Sequence, residues 1–417
     1  MKTEDKNFYL GIINGALYIF ACVFISGNIV MPIFLFNFTS SKALIGLASA
    51  ILSIGWYLPQ FFQGYYAEKK PTKMPIYKFT AWIRTISFVL IIFAILIFAN
   101  MGTNLAITVI LILIFIYSFS GGMAGIVFMD IAAKTVPPQR RGYYFGGRSF
   151  FGGLLALGGS LIVSFILGHK ENYPFPFNFV ILFSIAFVLL SLSLFSFMMV
   201  KEPPSEVVKI RSFKEYYKEA IESLKSNFNY RRLIVTRYLC GATSIAFPFY
   251  VIYGLEVLKF PGSIIGAFLL SQVLGGIISN LFWGYLGEKK GNKLILQVFA
   301  ILSLSSPIIA ILSSYFEVWR GLYIFVFLFL GFAESGSYVG FYNFLLEISP
   351  AEKRPSQVGF MHTFISPVFL IPALGGFLLD KIPGNSYNIV FVLAFLFGLF
   401  GLLTTFRLVE PRTQKVS

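Results

Sequence analysis

Charged residues make up only 12% of this 417-residue chain, about half the share of an ordinary soluble domain. Histidine occurs twice and cysteine twice. With so few histidines and no clustered His/Asp/Glu set, an enzyme is not expected and no metal is implied. Cys22 and Cys240 each sit in an apolar run, so no disulfide framework is indicated. The chain carries no P-loop motif, and therefore no nucleotide cofactor is expected. Its first apolar run, Leu10 to about Phe36, is too long for a signal h-region and lacks a small-residue cleavage site.

What the chain does hold is apolar and small. Hydrophobic residues reach 57%, with 50 Phe and 37 Gly; small residues let membrane helices approach closely. Crossing a hydrocarbon core takes about 20 apolar residues. Twelve runs satisfy this, over 10–36, 44–63, 79–99, 105–130, 143–168, 177–200, 232–258, 262–286, 293–315, 321–347, 357–380 and 387–407. They are too long for barrel strands, and lipid offers no partner for unpaired backbone groups, so helices are expected. The formal net charge of +15 fits basic loops on one membrane face better than a nucleic-acid partner. Of 33 Lys and Arg, only Lys42, Lys170, Lys259, Arg320 and Lys381 fall in the odd-numbered loops, and Arg84 lies in the third span. The others gather at the two ends, in the even-numbered loops and in the span ends beside those loops. That asymmetry puts both termini in the cytoplasm and the chain in the cytoplasmic (inner or plasma) membrane, surrounded by lipid.

The tract Gly284-Tyr285-Leu286-Gly287-Glu288-Lys289-Lys290-Gly291-Asn292-Lys293 has a worn twin in Gly64-Tyr65-Tyr66-Ala67-Glu68-Lys69-Lys70-Pro71-Thr72-Lys73. Val136-Pro137-Pro138-Gln139-Arg140-Arg141 is echoed by Ser349-Pro350-Ala351-Glu352-Lys353-Arg354, and Gly158-Gly159 by Gly375-Gly376. The spacings lie between 213 and 220 residues. The expected fold is therefore an all-α membrane protein: twelve transmembrane helices as two pseudo-symmetric six-helix bundles, 1–200 and 232–417. Between them, 201–231 is a cytoplasmic linker. Lys201-Glu202-Pro203-Pro204 stops a helix, and Ser212-Phe213-Lys214-Glu215 reads as a capping box. Phe213, Tyr217, Ala220, Leu224 and Phe228 then recur at helical spacing, as in a helix lying on the membrane face.

With these motifs the chain resembles the major facilitator superfamily of secondary transporters. The superfamily's turn between helices two and three reads roughly G-x-x-x-D-x-x-G-[RK]-[RK]. Gly284, Glu288, Gly291, Asn292 and Lys293 match it best; the first copy keeps Gly64, Glu68 and Lys73 but has Pro71, and both copies carry Glu for Asp. The resemblance implies alternating access, with two halves rocking about a site near the midplane. It also implies a cytoplasmic gate latch made by Glu68, Lys73 and Asp130, and a pseudo-symmetric one made by Glu288 and Lys293. The plainer reading is that these charges only define a turn. Two departures weigh against a drug/proton antiporter. The fourth span holds no Arg between Leu105 and Asp130, and the fifth lacks the proline of G-P-x-x-G-G, although Pro372-Ala373-Leu374-Gly375-Gly376 echoes it in the eleventh.

An ionisable residue inside a membrane is a functional candidate by default. Glu334 falls near the middle of the tenth span, with Tyr338 on its face. It can exchange a proton as the cavity alternates, or hold a substrate ammonium; the alternative is a structural carboxylate bonded to Ser or Tyr. Asn28, Tyr117, Tyr250, Tyr253 and Gln272 suit a polar solute, yet are also ordinary glue between helices. His362, near the end of the eleventh span, is either a relay or a packed histidine. Arg84 is expected to snorkel to the headgroups, with a contact to Glu68 as the alternative, and Glu256 to be interfacial. So few basic residues within the spans argue against a strongly anionic substrate. The expectation is a monomeric secondary active transporter of a small organic solute with H+ as a possible co-substrate. An exporter of drugs or metabolites, or a membrane receptor that transports nothing, remains open.

Overall fold

The structure, a computed structural model, describes residues 3–98, 104–205, 212–350, 353–382 and 386–412. Among the described residues, twelve helices are long and apolar enough to cross a membrane. They are α1 (Thr3–Val23), α2 (Lys42–Glu68), α3 (Met74–Phe98), α4 (Leu105–Thr135), α5 (Pro138–Gly168), α6 (Phe177–Met198), α7 (Phe228–Glu256), α8 (Ile264–Lys290), α9 (Asn292–Tyr315), α10 (Ile324–Ile348), α11 (Ser356–Lys381) and α12 (Tyr387–Phe406). No strand occurs among the described residues. All twelve expected spans are present. One expectation is corrected: the first span is not continuous. Its helix ends at Val23 and resumes as a short helix, Val30–Phe36. Ser26-Gly27-Asn28 lies in the break, and the Ser49 hydroxyl donates to the freed carbonyl of Gly27 at 2.5 Å. Broken helices are tolerated at membrane depth only where the freed groups find such partners.

The linker helix, Phe213–Ser226, starts at the expected capping box: the Glu215 amide donates to the Ser212 hydroxyl, and the Ser212 amide to the Glu215 carboxylate. Its inward face is offset from the one read in the sequence. Tyr216 and Ala220 are fully buried, whereas Phe213 and Tyr217 are partly exposed. Tyr216 packs on Phe61 of α2 (ring centroids 4.8 Å apart). Gly64 makes room for it, since a Cβ there would come within 3.0 Å of the Tyr216 hydroxyl. Linker residues 206–211 lie outside the described residues. The face of the bundle that carries this helix is called the linker face below, and its opposite the far face.

The repeat reaches atomic detail. The Asn7 side chain donates to the Lys201 carbonyl and accepts its N–H, both at 3.0 Å. Asn229, near the start of α7, does the same with Val409, at 2.7 and 3.0 Å. Each clasp ties the entry of a half's first helix to the exit of its last.

The broken first helix and an interhelical chamber

Glu334 sits in the middle of α10, deep in the bundle yet accessible from an internal cavity. Asn28, in the break of the first span, donates to one Glu334 carboxylate oxygen at 2.6 Å. Gln272 of α8 donates to the other at 2.7 Å. Close packing sets that second bond. A Cβ on Gly331 would lie 2.0 Å from the Gln272 carbonyl, and one on Gly275 2.2 Å from that of Leu328. Only glycine lets the backbones of α8 and α10 meet there.

Two chambers meet at this carboxylate. The first, about 630 Å³, is lined by residues of both halves, including Tyr18, Trp56, Arg84, Tyr117, Gln272 and Asn280. The second, about 310 Å³, is lined by Tyr57, Arg237, Ser244, Tyr250, Ser337 and Tyr338 among others. Asn28, Ser49, Ser53, Tyr57 and Glu334 border both.

Asn28, Tyr117, Gln272 and Glu334 thus come together at the first chamber, and Tyr250 and Tyr338 at the second. Tyr250 is buried against Phe391, with ring centroids 5.2 Å apart. Tyr253 borders neither chamber. It is buried, and its hydroxyl meets the Ser314 hydroxyl at 2.7 Å. His362 also stays out of both; its Nδ1 lies 2.6 Å from the Gln60 amide oxygen, edge-on to Tyr57.

Three basic residues depart from expectation. Arg84 does not snorkel: it is 4% exposed, borders the first chamber and donates to the Tyr117 hydroxyl at 3.2 Å. Arg148 and Arg237, counted with the loops, belong to α5 and α7. Glu256 is no free interfacial group either, because it pairs with Lys42 at 2.6 Å and accepts from the Tyr387 hydroxyl.

Of the residues expected to form a latch, Lys73 and Asp130 lie together. Lys73 Nζ lies 3.5 Å from Asp130, which also pairs with Lys134 at 2.9 Å. Burial pushes the Lys73 ammonium below its ordinary pKa, against the upward pull of Asp130. Glu68 ends α2. The residue that completes the cluster is Glu202. It accepts the amides of Lys73 and Met74, both at 2.7 Å, and pairs with Lys134 at 2.9 Å. In the second half Lys293 gives its amide to Glu410 at 2.9 Å, while Glu288 is exposed and accepts from Arg412 through its carbonyl. Gly284 has open space beside it. A carboxylate at a helix N-terminus is favourable, so Glu202 and Glu410 cap α3 and α9 alike. The sequence signal for both is a Glu-Pro pair after the sixth and twelfth helices, Glu202-Pro203 and Glu410-Pro411.

On the far face, polar contacts join the halves. Besides the Lys42–Glu256 pair, Asp380 of α11 accepts the amides of Lys42 and Ala43 at 2.7 and 3.0 Å and the Ser41 hydroxyl at 2.9 Å. Between α5 and α8, close contacts occur at Gly266 with Ser164 and at Gly153 with Ile277. At the linker ends of the same helices, Gly146 and Gly284 have nothing within 4 Å of an added Cβ.

The sequence profile described as Major Facilitator Superfamily matches residues 12–277 and 244–417. The chain belongs to the major facilitator superfamily. It is an integral, multi-pass membrane transporter, and a small-molecule substrate follows from that membership. Superfamily folds of the same shape include a D-xylose–proton symporter, with a TM-score of 0.75 at 14% identity over 98% of this chain and 99% of that one. A bacterial homologue of the iron transporter ferroportin in its inward-facing state scores 0.70 at 12% identity, covering 97% and 98%. A nucleoside transporter, solved as a point mutant, also scores 0.70, at 13% identity, covering 98% and 100%. By sequence, the chain is 33% identical over 154 residues to a protein of Staphylococcus haemolyticus (strain JCSC1435) named for proline/betaine transport. That match spans 34% of this chain and about a third (32%) of the relative.

Proposed function

We propose that this protein is a secondary active transporter that moves a small organic solute by alternating access and uses a proton as its coupling ion. The observation that carries the reading is the position of Glu334. One oxygen is tied to Asn28 of the first half and the other to Gln272 of the second, where the two chambers meet. Rocking the halves apart must release the Asn28 bond, leaving the carboxylate free to take a proton or a substrate cation. Tyr117 and Tyr338 border the path, and Tyr250 shapes its wall. Tyr253 and His362 are packing residues in this scheme.

The moving units are 1–200 and 232–417, tethered by 201–231. The clusters Lys73–Asp130–Glu202 and Lys293–Glu410 hold each unit together at its charged turn, which lets each half move as a body. The clustering of Lys and Arg on the linker face makes that face cytoplasmic, with both termini inside. Far-side closure then corresponds to an inward-facing state. One chain lines both chambers, so a monomer suffices. The partial relative's name, for proline and betaine, supports a small polar solute.

The test is Glu334→Gln in proteoliposomes. Proton-driven uptake should fall at least about tenfold, and the remaining rate should lose its pH dependence. A variant that keeps both wild-type rate and pH profile would remove Glu334 from the mechanism.

A further inference from the structure

Among the described residues, Arg84 is the one Lys or Arg that borders the first chamber, and it is buried with its hydrogen bonding incomplete. A guanidinium carries five N–H donors. The Tyr117 hydroxyl takes one and the Tyr18 hydroxyl another, and the guanidinium lies against both rings, 5.1 and 5.3 Å from their centroids. Its Nε has no partner, and no carboxylate pairs with it among the described residues. Arg148 of α5 and Arg237 of α7 differ. Arg148 donates to the Gly11 carbonyl at 2.5 Å and the Asn14 amide oxygen at 2.9 Å. Arg237 donates to the hydroxyls of Ser337 and Tyr57. A buried cation without an anion is costly.

The same chamber holds one acid, Glu334, on the opposite half. Its two oxygens each accept one amide bond, leaving roughly two of its four acceptor positions open. A purely anionic solute would leave Glu334 uncompensated, and a purely cationic one would leave Arg84 so. A solute carrying both charges satisfies the two at once.

We infer that the first chamber binds a zwitterion, with Arg84 receiving its carboxylate and Glu334 its cationic nitrogen. This deepens the transporter reading and rests on its placing the solute at Glu334. Bidentate geometry makes Arg the suited partner for a carboxylate. Because Arg84 is on α3 and Glu334 on α10, the solute itself bridges the halves.

The experiment measures binding to the purified full-length protein by titration calorimetry. The probes are the twenty amino acids and glycine betaine, each beside a form lacking the carboxylate: the amide, or choline for betaine. Xylose and uridine serve as neutral controls. At least one zwitterion is expected to bind at least tenfold more tightly than its carboxylate-free form. Arg84→Gln should close that gap by weakening the zwitterion alone, Arg84→Lys should restore part of it, and Arg237→Gln should keep it. Glu334→Gln should weaken zwitterion and amide together. The inference is overturned if the gap survives in Arg84→Gln, closes in Arg237→Gln instead, or if only xylose or uridine binds. Should Arg84→Gln not fold, the wild-type gap and the Arg84→Lys titration decide. Proteoliposome flux separates the two readings. Uridine or xylose flux without zwitterion binding overturns the Arg84 assignment and keeps the transporter. Zwitterion binding with the expected gap but without flux does the reverse.

Discussion

Glu334 has one donor on each side, and the two bonds do different work. The Asn28 bond joins the halves; the Gln272 bond stays within one and aims the carboxylate. Gln272→Leu should therefore leave the halves able to close yet release one oxygen. A hydrogen bond to a charged group contributes about 1.5–3 kcal/mol, so uptake should fall about tenfold or more with the fold intact, checked by initial rates beside gel filtration. At this scale the sequence is half legible. Glu334 stands out because an acid inside a span is rare, and Asn28, Tyr117 and Gln272 because they are polar there. Arg84 does not, because a basic residue about one turn into the span read as 79–99 reads the same whether it snorkels or points inward. Only the packing of α3 against α4 and the first helix turns it to the chamber.

Among the elements, α8 and α10 make the tightest approach beside the site. Gly331→Ala puts a Cβ 2.0 Å from the Gln272 carbonyl; backbone cannot yield as a side chain would. Overpacking of this kind costs about 1–3 kcal/mol, which should lower the thermal midpoint and displace Gln272, visible as lost uptake. The linker helix should respond to pH. Hydrogen bonds from Ser212 hold the exposed Glu215 carboxyl below its ordinary range. A carboxyl depressed on folding stabilises above its unfolded pKa of about 4.3, and that contribution is lost as pH falls through the lower folded value. Amide exchange in Phe213–Ser226 should therefore speed up in acid, and Ser212→Ala should blunt the change. The capping box was readable because its residues are local. The buried face was not, because Tyr216 and Tyr217 share the helical pattern until Gly64 opens a place for one of them.

At the scale of the whole molecule, a few polar contacts join the halves on the far face. The Lys42–Glu256 pair joins the halves with Lys42 buried and Glu256 half-buried. Glu256→Gln should weaken that closure by roughly 1–2 kcal/mol, about a tenfold shift in population toward the far-open state. Spin-label distances between the far ends of α2 and α11 should lengthen; an unchanged distribution would show that Asp380 at the start of α2 closes the gate alone.

Composition, span count, Lys/Arg asymmetry and the twice-written turn determined that this is a twelve-helix membrane protein. Those properties are additive along the chain: lipid selects length and hydrophobicity, and charge selects the side. What tertiary structure decided is which residues face one another. The broken first helix, the chamber at Glu334, the inward turn of Arg84 and the caps by Glu202 and Glu410 join positions up to 306 residues apart. Such contacts depend on where glycine lets two backbones touch, which no local pattern records.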